Sequence, residues 1–150
     1  MIIDALGTLS DAQALSATAA STNVMDFGSD RDIGRGQVLC VLFTVDVAAD
    51  FTTTDETYQF TIQTDDNVGF ASPKNVVTKL FSALPSTPAA ELTAGSKWVL
   101  AIPADTSGER FLRVNYTLGG TTPLLTITAQ VQPLALVQEE VIYPSGYVVA

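Results

Sequence analysis

The stretch from Gln59 to Pro73 constrains the fold more than any other. Tyr58, Phe60 and Ile62 alternate with Gln59, Thr61 and Gln63. A period of two puts the apolar set on one face of a β-strand and the polar set on the other. The alternation stops at Asp65, Asp66 and Asn67. Such short polar side chains bond to nearby backbone N–H groups and so favour turns. Ser72 and Pro73 close the loop. An apolar strand face needs a second layer to cover it. The polar side reads as outward, and the acidic turn reads as solvated scaffold.

The rest of the chain repeats this grammar. In residues 1–20, Ser10 and Asp11 can cap a short helical turn through Ala12–Leu15, while the small residues after it fit an extended arm. A strand or arm is the reading. A short strand is expected near Val24–Phe27, followed by the Gly- and charge-rich loop SDRDIGRG. Val38–Asp46 is almost continuously apolar, which fits a strand buried on both faces. Further strands are expected at Val76–Ala83, Lys97–Pro103, Arg110–Leu118 and Leu125–Val131, with a proline-containing loop over Leu84–Gly95. In Arg110–Leu118, the residues Leu112, Val114, Tyr116 and Leu118 point inward; Phe111, Arg113, Asn115 and Thr117 point out. About eight short strands, evenly spaced by turns and with no long amphipathic helix, predict an all-β, two-sheet antiparallel sandwich of the jelly-roll type. Residues 1–132 form that domain. Residues 133–150 are an apolar C-terminal extension, read either as a hairpin on its own domain or as an arm laid on a neighbour.

The residue inventory leaves little for catalysis. The chain has no His, which removes the commonest general base and metal ligand. Its one Cys, Cys40, lies inside an apolar run and reads as a buried small hydrophobe. No Gly-x-Ser-x-Gly elbow is present. The carboxylate pairs Asp65–Asp66 and Glu139–Glu140 are sequence neighbours, which on a strand face opposite ways. Asp30, Asp32, Asp65, Asp66 and Asn67 offer hard oxygen donors, but without the spacing of a dedicated calcium loop. No enzyme activity and no cofactor or metal are expected. Trp98 alternates with Leu100 and Ile102 and so reads as core, not as a sugar platform. Sixteen acidic against seven basic residues give a net charge of −9, which disfavours nucleic acid and anionic membranes as partners. The opening residues lack a signal-peptide pattern, and no apolar run approaches the roughly 20 residues that span a bilayer.

Five stretches in order, MIIDALGTLSDAQAL, AASTN, DRDIGRGQ, TIQTDDNVGFASP and RFLRVNYTL, resemble the capsid cement (decoration) proteins of tailed bacteriophages, of the type first seen in a Bordetella podovirus. The resemblance runs from Met1 to about Gln132; the tail is longer than the family pattern. It implies a jelly roll made in the bacterial cytoplasm and placed on the outer surface of the virion head. There it bridges neighbouring major capsid proteins, as a homodimer or homotrimer, and it brings no catalytic residues. Partner-facing candidates are then Arg31 and Arg35 in the charged loop, Arg113 (with Arg110) on the outward strand face, and Val141, Ile142, Tyr143 and Tyr147 in the tail. Arginine suits this role because it pairs bidentately with carboxylates. The alternative is a lectin-like jelly roll that attaches to carbohydrate or a cell surface; an exposed Trp98 would favour it.

Overall fold

Strand forms wherever alternation is bounded by turn residues. The structure is a computed structural model that describes residues 5–29, 38–82, 91–103 and 109–137. A 3-10 turn, η1 (Ala5–Gly7), leads into β1 (Thr8–Leu15), β2 (Ala19–Ala20) and β3 (Met25–Asp26). Then follow β4 (Leu39–Val47), β5 (Thr57–Asp65), β6 (Lys74–Ser82), β7 (Lys97–Ala101), β8 (Phe111–Gly119) and β9 (Leu125–Pro133). One sheet has the order β1-β9-β4-β7; the other runs β2-β8-β5-β6, with β3 also on β8. All pairs are antiparallel. No helix among the described residues is long and apolar enough to cross a membrane.

The strand order is that of a jelly roll. β2 pairs through Ala20 with Asn115, and β3 through Met25 with Leu112, so the two are halves of one interrupted strand. Counted as one, they leave eight strands that fold over in pairs: β1 with β9, β2/β3 with β8, β4 with β7, β5 with β6. The N-terminal stretch is strand, not a capped helical turn. Its Ser10 region is a bulge, with register shifts on both sides.

The core lies between the sheets and centres on Phe60. Its ring meets Phe43, Phe81, Trp98 and Tyr116 at centroid distances of 5.5, 5.6, 4.8 and 5.7 Å. Most are edge-to-face contacts, the arrangement that ring quadrupoles favour. Trp98 stacks on Phe43 at 4.2 Å and is buried. The buried tyrosine hydroxyls find partners. Tyr116 donates to Ser10 Oγ (2.8 Å), which donates to Gln13 Oε1 (2.7 Å). Tyr58 donates to the Asp50 carbonyl (2.6 Å) and accepts from Leu124 N (3.0 Å).

Two expectations need correction. The polar face of β5 is not solvated: Thr61, Gln63 and Asp65 are all buried. β5 is a central strand, so side chains of β6 and β8 flank it on both sides. Thr61 bonds Thr78 (3.1 Å), and Gln63 donates to Asn75 Oδ1 (2.9 Å). Likewise Asp65 clasps its turn, accepting from Asn67 N (2.9 Å) and Ser72 N (2.8 Å). Phe111, expected outward, is buried too, with the Arg110 guanidinium 5.0 Å from its ring.

β4 is buried on both faces. Val41, Phe43 and Val45 enter the main core. Cys40 and Leu42 face the other way, under Leu134 and Val137. The chain reaches them because β9 runs through Pro133, Leu134 N bonds the Val38 carbonyl (2.8 Å), and residues 134–137 make a helical turn. The described part of the C-terminal segment therefore packs on its own domain.

Two outcomes follow. Phe60→Ala should cost about 3–5 kcal/mol in urea unfolding, because the cavity opens at the junction of both sheets. Burial pushes the Cys40 thiol up to about 11. Ellman's reagent at pH 8 should therefore leave the native protein unmodified and titrate one thiol once urea unfolds it.

Candidate interaction surfaces

Antiparallel order fixes which loops share an end. β1, β4, β6 and β8 start at the end where β3, β5, β7 and β9 finish. The loop carrying Arg31 and Arg35 leaves the described fold after Ser29 and returns at Val38, at this end. The tail carrying Val141, Ile142, Tyr143 and Tyr147 leaves here too, after Val137. Those six residues themselves, with Asp30, Asp32 and Glu139–Glu140, lie outside the described residues. Four exposed large apolar side chains belong to the same end: Leu6 (84%), Val38 (42%), Val68 (64%) and Leu136 (46%). Among the described residues three more, Val47, Leu80 and Leu124, lie toward the opposite end, so what sets this end apart is that its exposed apolar side chains surround the points where the loop and the tail depart. Sequence reading missed this group, since it depends on topology.

The arginines of β8 are engaged within the domain. Arg113 is half-buried; its Nε donates to Gln63 Oε1 (3.0 Å), and its guanidinium lies 4.1 Å from the Phe70 ring. Burial pulls its pKa down, while nearby Asp65 opposes the shift. Arg110 forks onto Asp26, with Nε to Oδ1 at 2.8 Å and Nη2 to Oδ2 at 2.9 Å. This bond and the Gly28 N–H hold the Asp26 carboxyl at about 2, against an ordinary 3.8. At the same end Lys74 pairs with the buried Glu109.

The outer face of the β8–β5–β6 sheet is polar and hydrogen-bonding. Across it run Arg113–Gln63–Asn75 and Asn115–Thr61–Thr78, in register. Trp98 offers no platform there, being buried against Phe43. Asp65 is spent on its loop while Asp66 is exposed, so that pair forms no dyad. Among the described residues, no group of three or more His, Cys, Asp or Glu converges as a metal centre.

A model of the Bbp16 family matches residues 9–131, which takes in almost all of the nine strands. The chain belongs to the Bbp16 family. That name marks a protein family of Bordetella bacteriophage. Among curated proteins none matches the chain. The matched Bbp16 region stops short of η1 and of residues 134–137, so two of the four exposed apolar residues, Leu6 and Leu136, fall outside it.

The Arg110–Asp26 fork yields a pH signature. A carboxyl whose folded pKa is depressed contributes stability above its unfolded value and loses it as pH falls through the folded one. Here the window runs from about 3.8 down to about 2. Thermal midpoints of the wild type and Arg110→Gln should differ at pH 5 and converge near pH 2. A constant gap across that range would mean that Arg110 acts through packing on Phe111.

Proposed function

We propose that this Bbp16-family protein is a capsid decoration (cement) protein: a structural, non-enzymatic virion component on the outer surface of a phage head. It stabilises the shell by bridging neighbouring major capsid proteins, and it meets copies of itself as a homodimer or homotrimer. The observation that carries this reading is what one end of the jelly roll combines: exposed apolar side chains with the departure points of the arginine loop and the apolar tail. Leu6, Val38, Val68 and Leu136 are exposed there, and the arginine loop and the apolar tail both depart from there. A rigid domain with its adhesive groups at one end suits contacts repeated by symmetry, where many weak interactions add up to high avidity. The family match and the sequence resemblance point the same way. The lectin-like alternative loses its named residue, since Trp98 is a core ring. A net charge of −9 argues against nucleic acid or an anionic membrane as partner.

Co-sedimentation with purified heads that lack this protein tests the reading. Saturable binding that raises the heat resistance of the heads is expected. Val68→Asp together with Leu136→Asp should weaken binding at least tenfold while leaving the thermal midpoint of the free protein nearly unchanged, because both side chains are already exposed. A protein that ignores heads and instead binds a glycan array would overturn the cement role.

A further inference from the structure

The opposite end of the sandwich holds an unbalanced pair of carboxyls. The turn between β4 and β5 carries Asp50, Thr53, Asp55 and Glu56; the turn between β8 and β9 lies against it. Asp55 Oδ2 accepts from Thr121 Oγ1 (2.7 Å), and its Oδ1 accepts from Thr121 N (3.2 Å). Gly120, at φ +99, packs so closely that an added Cβ would come 2.6 Å from Glu56 Cα. Glu56 shares the inward parity of Tyr58, Phe60 and Ile62 and is 0% exposed.

The hydrogen count does not close. Thr53 Oγ1 lies 2.6 Å from Asp55 Oδ1 and also within bonding distance of Glu56 Oε1. The hydroxyl hydrogen serves Asp55, and Thr53 N donates to Glu56 Oε1 (3.2 Å), so both of those oxygens are satisfied. The other Glu56 oxygen, Oε2, is buried with no partner. A buried carboxylate oxygen left unpaired is costly. The described cations with a located partner are committed elsewhere: Lys74 to Glu109, Lys79 to Glu91, Arg110 to Asp26 and Arg113 to Gln63.

We propose that Thr53, Asp55 and Glu56 ligate a hard cation of the calcium class, with Glu56 Oε2 as its buried anchor. Two carboxylates and a hydroxyl are all oxygen donors, and calcium accepts neutral oxygens and water in a flexible shell where magnesium demands a near-ideal octahedron. The ion would supply the missing positive charge and bind the β4–β5 turn to the β8–β9 turn through Asp55. The site takes fewer carboxylates than a chelating triad, so its affinity is modest.

The test uses full-length protein with terbium, sensitised through neighbouring Tyr58, and with calcium chloride against EDTA. Terbium luminescence should saturate and be displaced by calcium. Calcium at ten times its dissociation constant should raise the thermal midpoint by roughly 3–6 °C. Glu56→Gln and Asp55→Asn should each abolish both responses. In EDTA, Glu56→Gln should melt no lower than the wild type, because it removes a buried charge; Asp55, being exposed, supplies a second variant should Glu56→Gln not fold. A midpoint indifferent to calcium and EDTA, with no saturable luminescence, overturns the proposal. So does a calcium response that survives in both variants, which would place the ion elsewhere, such as Asp65–Asn67.

Discussion

The Phe60 ring joins the two layers, and most of the architecture depends on that junction. It projects from the middle of β5 and touches rings carried by β4, β6, β7 and β8. The ladder hydrogen bonds of a two-sheet sandwich run within each sheet, and here Asn23 N to the Leu9 carbonyl (2.9 Å) crosses from one layer to the other. Side-chain packing does most of the joining, at the density of an organic crystal. Concentrating aromatics at the crossing point supplies large buried area with few rotatable bonds. The tyrosines extend this inward packing to the rims, where their hydroxyls bond Ser10 on one side and the Asp50 and Leu124 backbone on the other.

A core this rigid leaves the two ends free to differ. One end carries the departures of the arginine loop and the tail beside Leu6, Val38, Val68 and Leu136. The other carries threonines and carboxyls that tie turn to turn, with Val47, Leu80 and Leu124 exposed near them. The polarity comes from the fold-over order: each strand pair begins at one end and closes at the other. A decoration protein with such an axis would present one end to the shell and the other to the medium.

Much of this was legible in the sequence. Period-two alternation located the strands, and the apolar run from Val38 marked the strand buried on both faces. Lateral burial was not legible. Thr61 and Gln63 read as outward, and they do leave the core; their neighbours on β6 and β8 then bury them, and nothing local encodes which strands those are. Pairings across long sequence gaps escaped for the same reason: Arg110 and Asp26 meet only because β3 registers against β8. The Glu56 anomaly did leave a trace. It shares parity with Tyr58 and Phe60, so a carboxylate on the apolar face was readable from the alternation itself. The family resemblance, drawn from ordered stretches and not from any single motif, agrees with the match to Bbp16 in pointing to a Bordetella phage family, and the cement role is the proposal built on it.

The pairing of β1 with β9 also governs when the protein can become itself. Among the described strands, β1 has no partner but β9, with Thr8 opposite Gln130 and Leu15 opposite Leu125. The first of the described strands therefore waits for the last of them. Topologies dominated by such distant pairings fold in milliseconds to seconds, slower than helical bundles. During that wait both edges of β1 are open, and among the described strands one stays unpaired in the finished sheet, the kind of segment that recruits the wrong neighbour. Its own composition, with Ser10, Asp11 and Gln13 among small residues, keeps it poorly adhesive until β9 arrives.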